Sequence, residues 1–152
     1  MRTKIITCGG AALLLLFVTT LSFAQPWQGW RGSGGWGMNS NYQRLYNPKT
    51  VETVSGTVES VNKVTPTKGM YYGIHVNLKT TEGLFDVHLG PGWYIERLDL
   101  KIVPGDHLEV SGSKIMFQGK PAIIAAEVKK GDQILRLRDD NGFPLWAGWR
   151  RR

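Results

Sequence analysis

From Val51 onward, apolar and polar residues alternate in short runs separated by turn residues, the pattern of a sandwich or barrel of short strands. The first run, Glu52 to Val64, is rich in Val and Thr, and Gly56 inside it predicts a bulge or a sharp bend. Thr65 to Gly69 reads as a loop. The second run, Tyr72 to Lys79, places Ile74, Val76 and Leu78 on one face. Thr80 to Gly83 turns the chain into a third run, Leu84 to Leu89, with Phe85, Val87 and Leu89 facing inward. Gly90-Pro91-Gly92 ends it. Trp93 to Leu100 is the one helix the pattern predicts here, with Ile95, Leu98 and Ile102 at helical spacing. Pro104-Gly105-Asp106 reads as a type II turn, with glycine supplying the positive φ. A fourth strand follows from His107 to Phe117, bulged near Gly112. Gln118-Gly119-Lys120 makes a hairpin turn into a fifth strand, Ala122 to Lys129.

Three strands, a short helix and two strands form the order of the OB-fold, so the expected fold is all-β: a five-stranded OB-fold-type barrel with its helix between strands three and four. A C-terminal β-hairpin is expected as an appendix. Leu135 and Leu137 alternate with Arg136 and Arg138, Asn141-Gly142 is a strong two-residue turn, and the return through Pro144 sets Leu137 opposite Trp146.

Upstream of the barrel the pattern is lost. Gln25 to Pro48 is glycine-rich, with Trp27, Trp30, Trp36, Tyr42 and Tyr46 interspersed and little aliphatic content, which predicts a flexible arm. Further upstream, Arg2 and Lys4 precede the apolar run Ala11 to Val18, and Ser22-Phe23-Ala24 has small residues where a signal peptidase reads. The run is too short to span a bilayer. Residues 1–24 are therefore expected to be a signal peptide cleaved after Ala24, 25–48 the arm, 49–131 the barrel and 132–152 the hairpin with its basic tail. The expected location is the periplasm or beyond, with no transmembrane segment left after cleavage.

Charge and composition narrow the chemistry. Loss of Arg2 and Lys4 takes the formal charge from +7 to +5, still basic, and Arg150-Arg151-Arg152 concentrates it at the end. That balance favours acidic partners, although a solvated tail accounts for it equally well. The only cysteine, Cys8, lies upstream of the apolar run, so it is removed with the leader and the mature chain has no disulfide, thiolate nucleophile or sulfur-ligated metal. No nucleophile elbow, HExxH or recognisable triad spacing is present. The expectation is a non-enzyme.

The hairpin of the second and third strands carries the sharpest candidate. Its apolar parity matches Ile74 with Leu89, Val76 with Val87 and Leu78 with Phe85, because a one-residue slip would bury the polar face. In that register His75 opposes His88 and Asn77 opposes Asp86, all on the outer face. Opposed side chains sit about 4.5–5.5 Å apart at Cβ. Two imidazoles and a carboxylate at that separation can share a divalent transition metal, the one cofactor the sequence points to. The plain alternative is a solvated polar face. His107 reads as structural or exposed.

The second candidate is the surface OB barrels use for ligands, the faces of strands two and three and the loops beside them. Lys68, Tyr71, Tyr72, Lys114, Phe117 and Lys120 offer charge beside flat rings there. The expected partner is an anionic ligand or an envelope protein; export argues against nucleic acid.

The segments TVSGTVESV, FDVHLGPGWYIE, PGDHLEVSGSKI and PAIIAAEVKKGDQILRLRDDNGFPLWAGW resemble small exported bacterial OB-fold proteins of the periplasm. The LRDDNGFPLWAGW ending is closest to a group of periplasmic proteins similar to a magnetosome-associated one. The resemblance covers Tyr46 to Trp149 and implies a signal peptide, an OB barrel and binding without catalysis. Its motifs are turns and core strands, so it transfers no catalytic residue.

The leading expectation is an exported, non-catalytic binding module for an anionic ligand or envelope partner. The alternative is a periplasmic metal-handling or redox-accessory protein using His75, His88 and Asp86. A third is a structural tether in an envelope assembly.

Overall fold

The computed structural model describes residues 33–150. The expected signal peptide, Trp27, Trp30 and the last two arginines lie outside the described residues. Among the described residues no helix is long and apolar enough to cross a membrane.

The chain forms the expected barrel of strands, and the barrel is closed. Strand β1 (Val51–Val64) pairs with both β4 (His107–Phe117), over Val51 to Thr57, and β2 (Gly73–Thr80), over Gly56 to Val64. The handover falls at Gly56, where any Cβ would collide with the carbonyl of Lys79. The bulge itself lies further on, between Val58 and Ser60, so Gly56 serves close approach rather than the irregularity expected of it. Strand β3 (Gly83–Pro91) pairs antiparallel with β2, then in parallel with β5 (Lys120–Lys130) through Asp86, Val87 and His88 opposite Ala122, Ile123 and Ile124. That contact closes the ring β1–β2–β3–β5–β4. Strand β6 (Gln133–Arg136) extends β5 outside it. The predicted bulge at Gly112 is present in the β4–β5 pairing, and Gly105 turns the chain at φ +92°.

Two local expectations are corrected. The helix α1 covers only Gly92–Ile95 and stops short of Leu100. After it the backbone bonds tighten to three-residue spacing, Arg97 N–H to the Tyr94 carbonyl and Leu98 N–H to the Ile95 carbonyl. Leu98 and Ile102 still pack against the core without it. The C-terminal hairpin shrinks to a single bridge, Arg138 with Pro144. There Asp139 Oδ1 accepts from the N–H groups of Asn141 and Phe143, and Gly142 takes φ +84°. This longer loop shifts the register, so Leu137 meets Leu145 rather than Trp146.

The largest departure is the arm. The described part of the 25–48 segment packs onto the barrel. Trp36 is 0% exposed, Tyr42 and Gln43 are buried, and Gln43–Leu45 form a 3-10 turn. Burying one large aromatic ring contributes roughly 4–6 kcal/mol of transfer free energy, enough to offset the ordering of several glycine-rich residues. Each contact is specific. The Trp36 indole N–H donates to the Tyr71 carbonyl at 2.8 Å, and the Trp146 indole N–H donates to the Trp36 carbonyl at 3.0 Å. Arg138, itself buried, donates to Gln43 Oε1 at 2.7 Å and to the Gly142 carbonyl, with the rings of Tyr46 and Trp146 about its guanidinium. The fold thus has two buried layers. One fills the barrel with Val76, Leu78, Phe85, Val87, Leu108 and Val110. The other lies outside β2 and β3, beneath residues 36–46 and 137–146.

Candidate metal centre

The second layer covers the polar face of the β2–β3 hairpin. The expected register holds from His75 to Leu78: His75 opposes His88 and Asn77 opposes Asp86. It slips only at Ile74, which pairs with Gly90 rather than Leu89. Alternation then forces His75, Asp86 and His88 onto the face opposite Val76 and Val87.

That face is not the solvated surface expected of it. His75 and His88 are each 1% exposed. Their rings stack on each other at 3.8 Å between centroids, with Tyr42 parallel to His88 and Phe117 edge-on to it. The Asp86 side chain alone keeps contact with solvent, at 33%.

Asp86 joins the two rings through one oxygen. His75 Nδ1 lies 3.1 Å and His88 Nε2 3.0 Å from Asp86 Oδ2. An ionised carboxylate only accepts, so both nitrogens are donors in the metal-free protein. His88 Nδ1 is then the acceptor in its ring, and the Tyr42 hydroxyl, 2.7 Å away, donates to it. His75 Nε2 is buried without a partner among the described residues.

The electrostatics follow from this arrangement. Burial alone raises the Asp86 carboxyl, but hydrogen bonds and charge from His75 and His88 together outweigh it and hold the group well below the usual carboxylate range. Burial pushes His88 below the ordinary imidazole value against the pull of Asp86, and His75 and Arg138 add to the lowering. His88 is therefore neutral where an exposed histidine would begin to charge. Burial also raises the Tyr42 phenol far above its ordinary value, so it stays protonated.

One donor atom from each of the three residues lies within 4.8 Å of the others. In a site with bonds of about 2.0–2.1 Å, neighbouring donors stand about 3.0–3.4 Å apart. The two donor–carboxylate separations of 3.0 and 3.1 Å lie within that range. A cation between them would take the lone pairs of His75 Nδ1 and His88 Nε2 once each ring carries its proton on the other nitrogen, Nε2 of His75 and Nδ1 of His88, with little movement of the strands.

The other predicted ligand residues do not gather. Lys114 is held by Glu52 of β1 and Glu82 of the β2–β3 turn. The Tyr72 hydroxyl donates to Glu96, its ring lies beside that of Tyr71, and Lys68 is exposed in the loop. Only Phe117 and Lys120 join the histidine site, lining with Asp86 a pocket of about 160 Å³. His107 is exposed at the start of β4, away from the cluster. Sequence reasoning missed Tyr42, which holds His88, and Trp36 and Arg138, which hold the cover in place. The signal was the aromatic content of a stretch read by its glycines.

Residues 50–135 match the MamS/MamX magnetosome protein family. The matched span exceeds half of the 152 residues and contains all three donors, while Tyr42, Trp36 and Arg138 fall outside it. No curated protein matches the chain.

Proposed function

The chain belongs to the MamS/MamX magnetosome protein family, and we propose that it acts after export, in the periplasm, as a non-catalytic OB-type module that binds one divalent first-row transition metal ion on His75, Asp86 and His88. One observation carries the reading. Two buried imidazoles and a carboxylate converge on one point from adjacent strands, at separations suited to a shared ion. Two nitrogens and one oxygen suit zinc, copper, nickel or iron rather than magnesium or calcium, which prefer oxygen alone. With an ion on Nε2, His88 would carry its proton on Nδ1 and donate it to the Tyr42 hydroxyl, the outer hydrogen bond that metal-bound imidazoles ordinarily make. Three protein donors leave at least one position open.

The test is native mass spectrometry of the mature protein purified from the periplasm without chelator. Expected is the mass of one metal ion, absent from the His75→Ala/His88→Ala variant and weakened in Asp86→Asn, with unchanged far-ultraviolet circular dichroism in the latter. A bare mass that persists after equilibration with zinc, copper(II), nickel and iron(II) overturns the proposal.

A further inference from the structure

The three donors differ in access. Both imidazoles are sealed beneath Tyr42 and Phe117, whereas Asp86 opens onto the pocket of about 160 Å³. Its other walls are Val64, Thr65 and Pro66 at the end of β1, and Gln118, Lys120 and Ala122 around the β4–β5 turn. This pocket gives an outer ligand of a bound ion a place beside Asp86.

The mouth carries one cation, on a turn that is held in place. Lys120 is exposed, makes no ion pair among the described residues, and is the one lysine that lines this pocket beside Asp86. Gln118 adopts φ +49° in the turn, a left-handed conformation that a non-glycine residue takes at a cost. Its side-chain Nε2 donates across the mouth to the Pro66 carbonyl at 3.3 Å. That bond ties the two walls together and holds the turn carrying Lys120 in place. A divalent ion beside one carboxylate leaves a net positive charge, and the Lys120 ammonium adds to it.

Size limits the occupant. At about 30 Å³ per water in the liquid, the pocket takes the equivalent of about five waters. An inorganic oxyanion of four or five heavy atoms fits. A whole nucleotide would not be enclosed by the pocket.

We infer that the Asp86 pocket seats a small inorganic oxyanion as the outer ligand of the metal bound by His75, Asp86 and His88, with Lys120 as its counter-charge. The inference rests on the metal reading. The protein then holds the ion and its counter-anion together, each binding more tightly in the presence of the other, as linkage requires.

Cobalt(II) reports this directly, because its visible absorption changes with the ligand set. The mature protein is loaded with cobalt in phosphate-free buffer and titrated with inorganic phosphate. A saturable spectral change is expected, with tighter cobalt binding at saturating phosphate. Lys120→Gln should bind cobalt as the unmodified protein does without phosphate, yet need about tenfold more phosphate for the same change. If cobalt binds and phosphate leaves the spectrum unaltered, strips the metal, or acts equally on the Lys120→Gln protein, this inference is overturned and the metal reading stands. If cobalt does not bind at all, the metal reading fails and takes this inference with it.

Discussion

Tyr42 shows how one side chain outside the barrel can set the chemistry of a site on the barrel's outer face. Its hydroxyl fixes His88 Nδ1, so Nε2 is the nitrogen presented to Asp86. Removal of that oxygen leaves the ring in place, since Trp36 and Phe117 pack the Tyr42 ring from its edges. Tyr42→Phe should therefore fold normally and lose about 10- to 100-fold in metal affinity, the usual cost of an outer-shell partner. Competition against a chelating dye would measure it. Unchanged affinity would mean that the hydroxyl serves only to satisfy a buried nitrogen. The three donors themselves were legible in the sequence, because alternation and register are fixed by apolar parity. Their burial was not. Nothing in the HVN and DVH triplets says that a distant glycine-rich segment will lie across them.

At the scale of elements, the strands and turns were readable wherever local chemistry decided them. Gly105 and Gly112 stand where the turn and the bulge occur. The helix was overread, because Leu98 and Ile102 pack on the barrel end from irregular backbone that shares a helix's spacing without its bonds. The arm was misread because composition averages over a segment, whereas a few aromatic anchors decide whether it docks. Trp36 is the discriminating residue. A flexible arm would lose nothing on Trp36→Ala, whereas a fully buried indole lost from a packed layer costs about 3–5 kcal/mol. Denaturant unfolding of the two proteins at one pH separates the cases, and the docked layer predicts a lower midpoint with an unchanged slope.

For the whole molecule, the buried cluster links folding to pH. His88 is held below its ordinary value by burial, with Asp86, His75, Tyr42 and Arg138 around it. Below pH about 6.5 the unfolded chain takes up a proton that the fold resists, so the metal-free protein loses stability as pH falls. Asp86 is held low by its two hydrogen bonds, despite burial. Its contribution is complete above pH about 4 and is lost as pH drops below that toward its folded value. Stability should therefore fall in two stages on acidification. Asp86→Asn should shrink the lower stage, leaving what the Glu96 and Asp106 carboxylates, also held low by Lys63 and Lys130, contribute there. Urea midpoints between pH 8 and pH 3 would show it, and a midpoint constant down to pH 4 would contradict the role given to His88.

The Arg138 clamp also has a consequence in time. The His75–His88 hairpin is complete once the chain has passed residue 91, but the residues that pin Trp36 and Gln43 over it, Arg138 and Trp146, come at the far end. A chain emerging N-terminus first thus contains both histidine strands before the residues that cover them. For that interval neither imidazole has its cover, so under the proposed metal reading the order of the residues would set when an ion can enter.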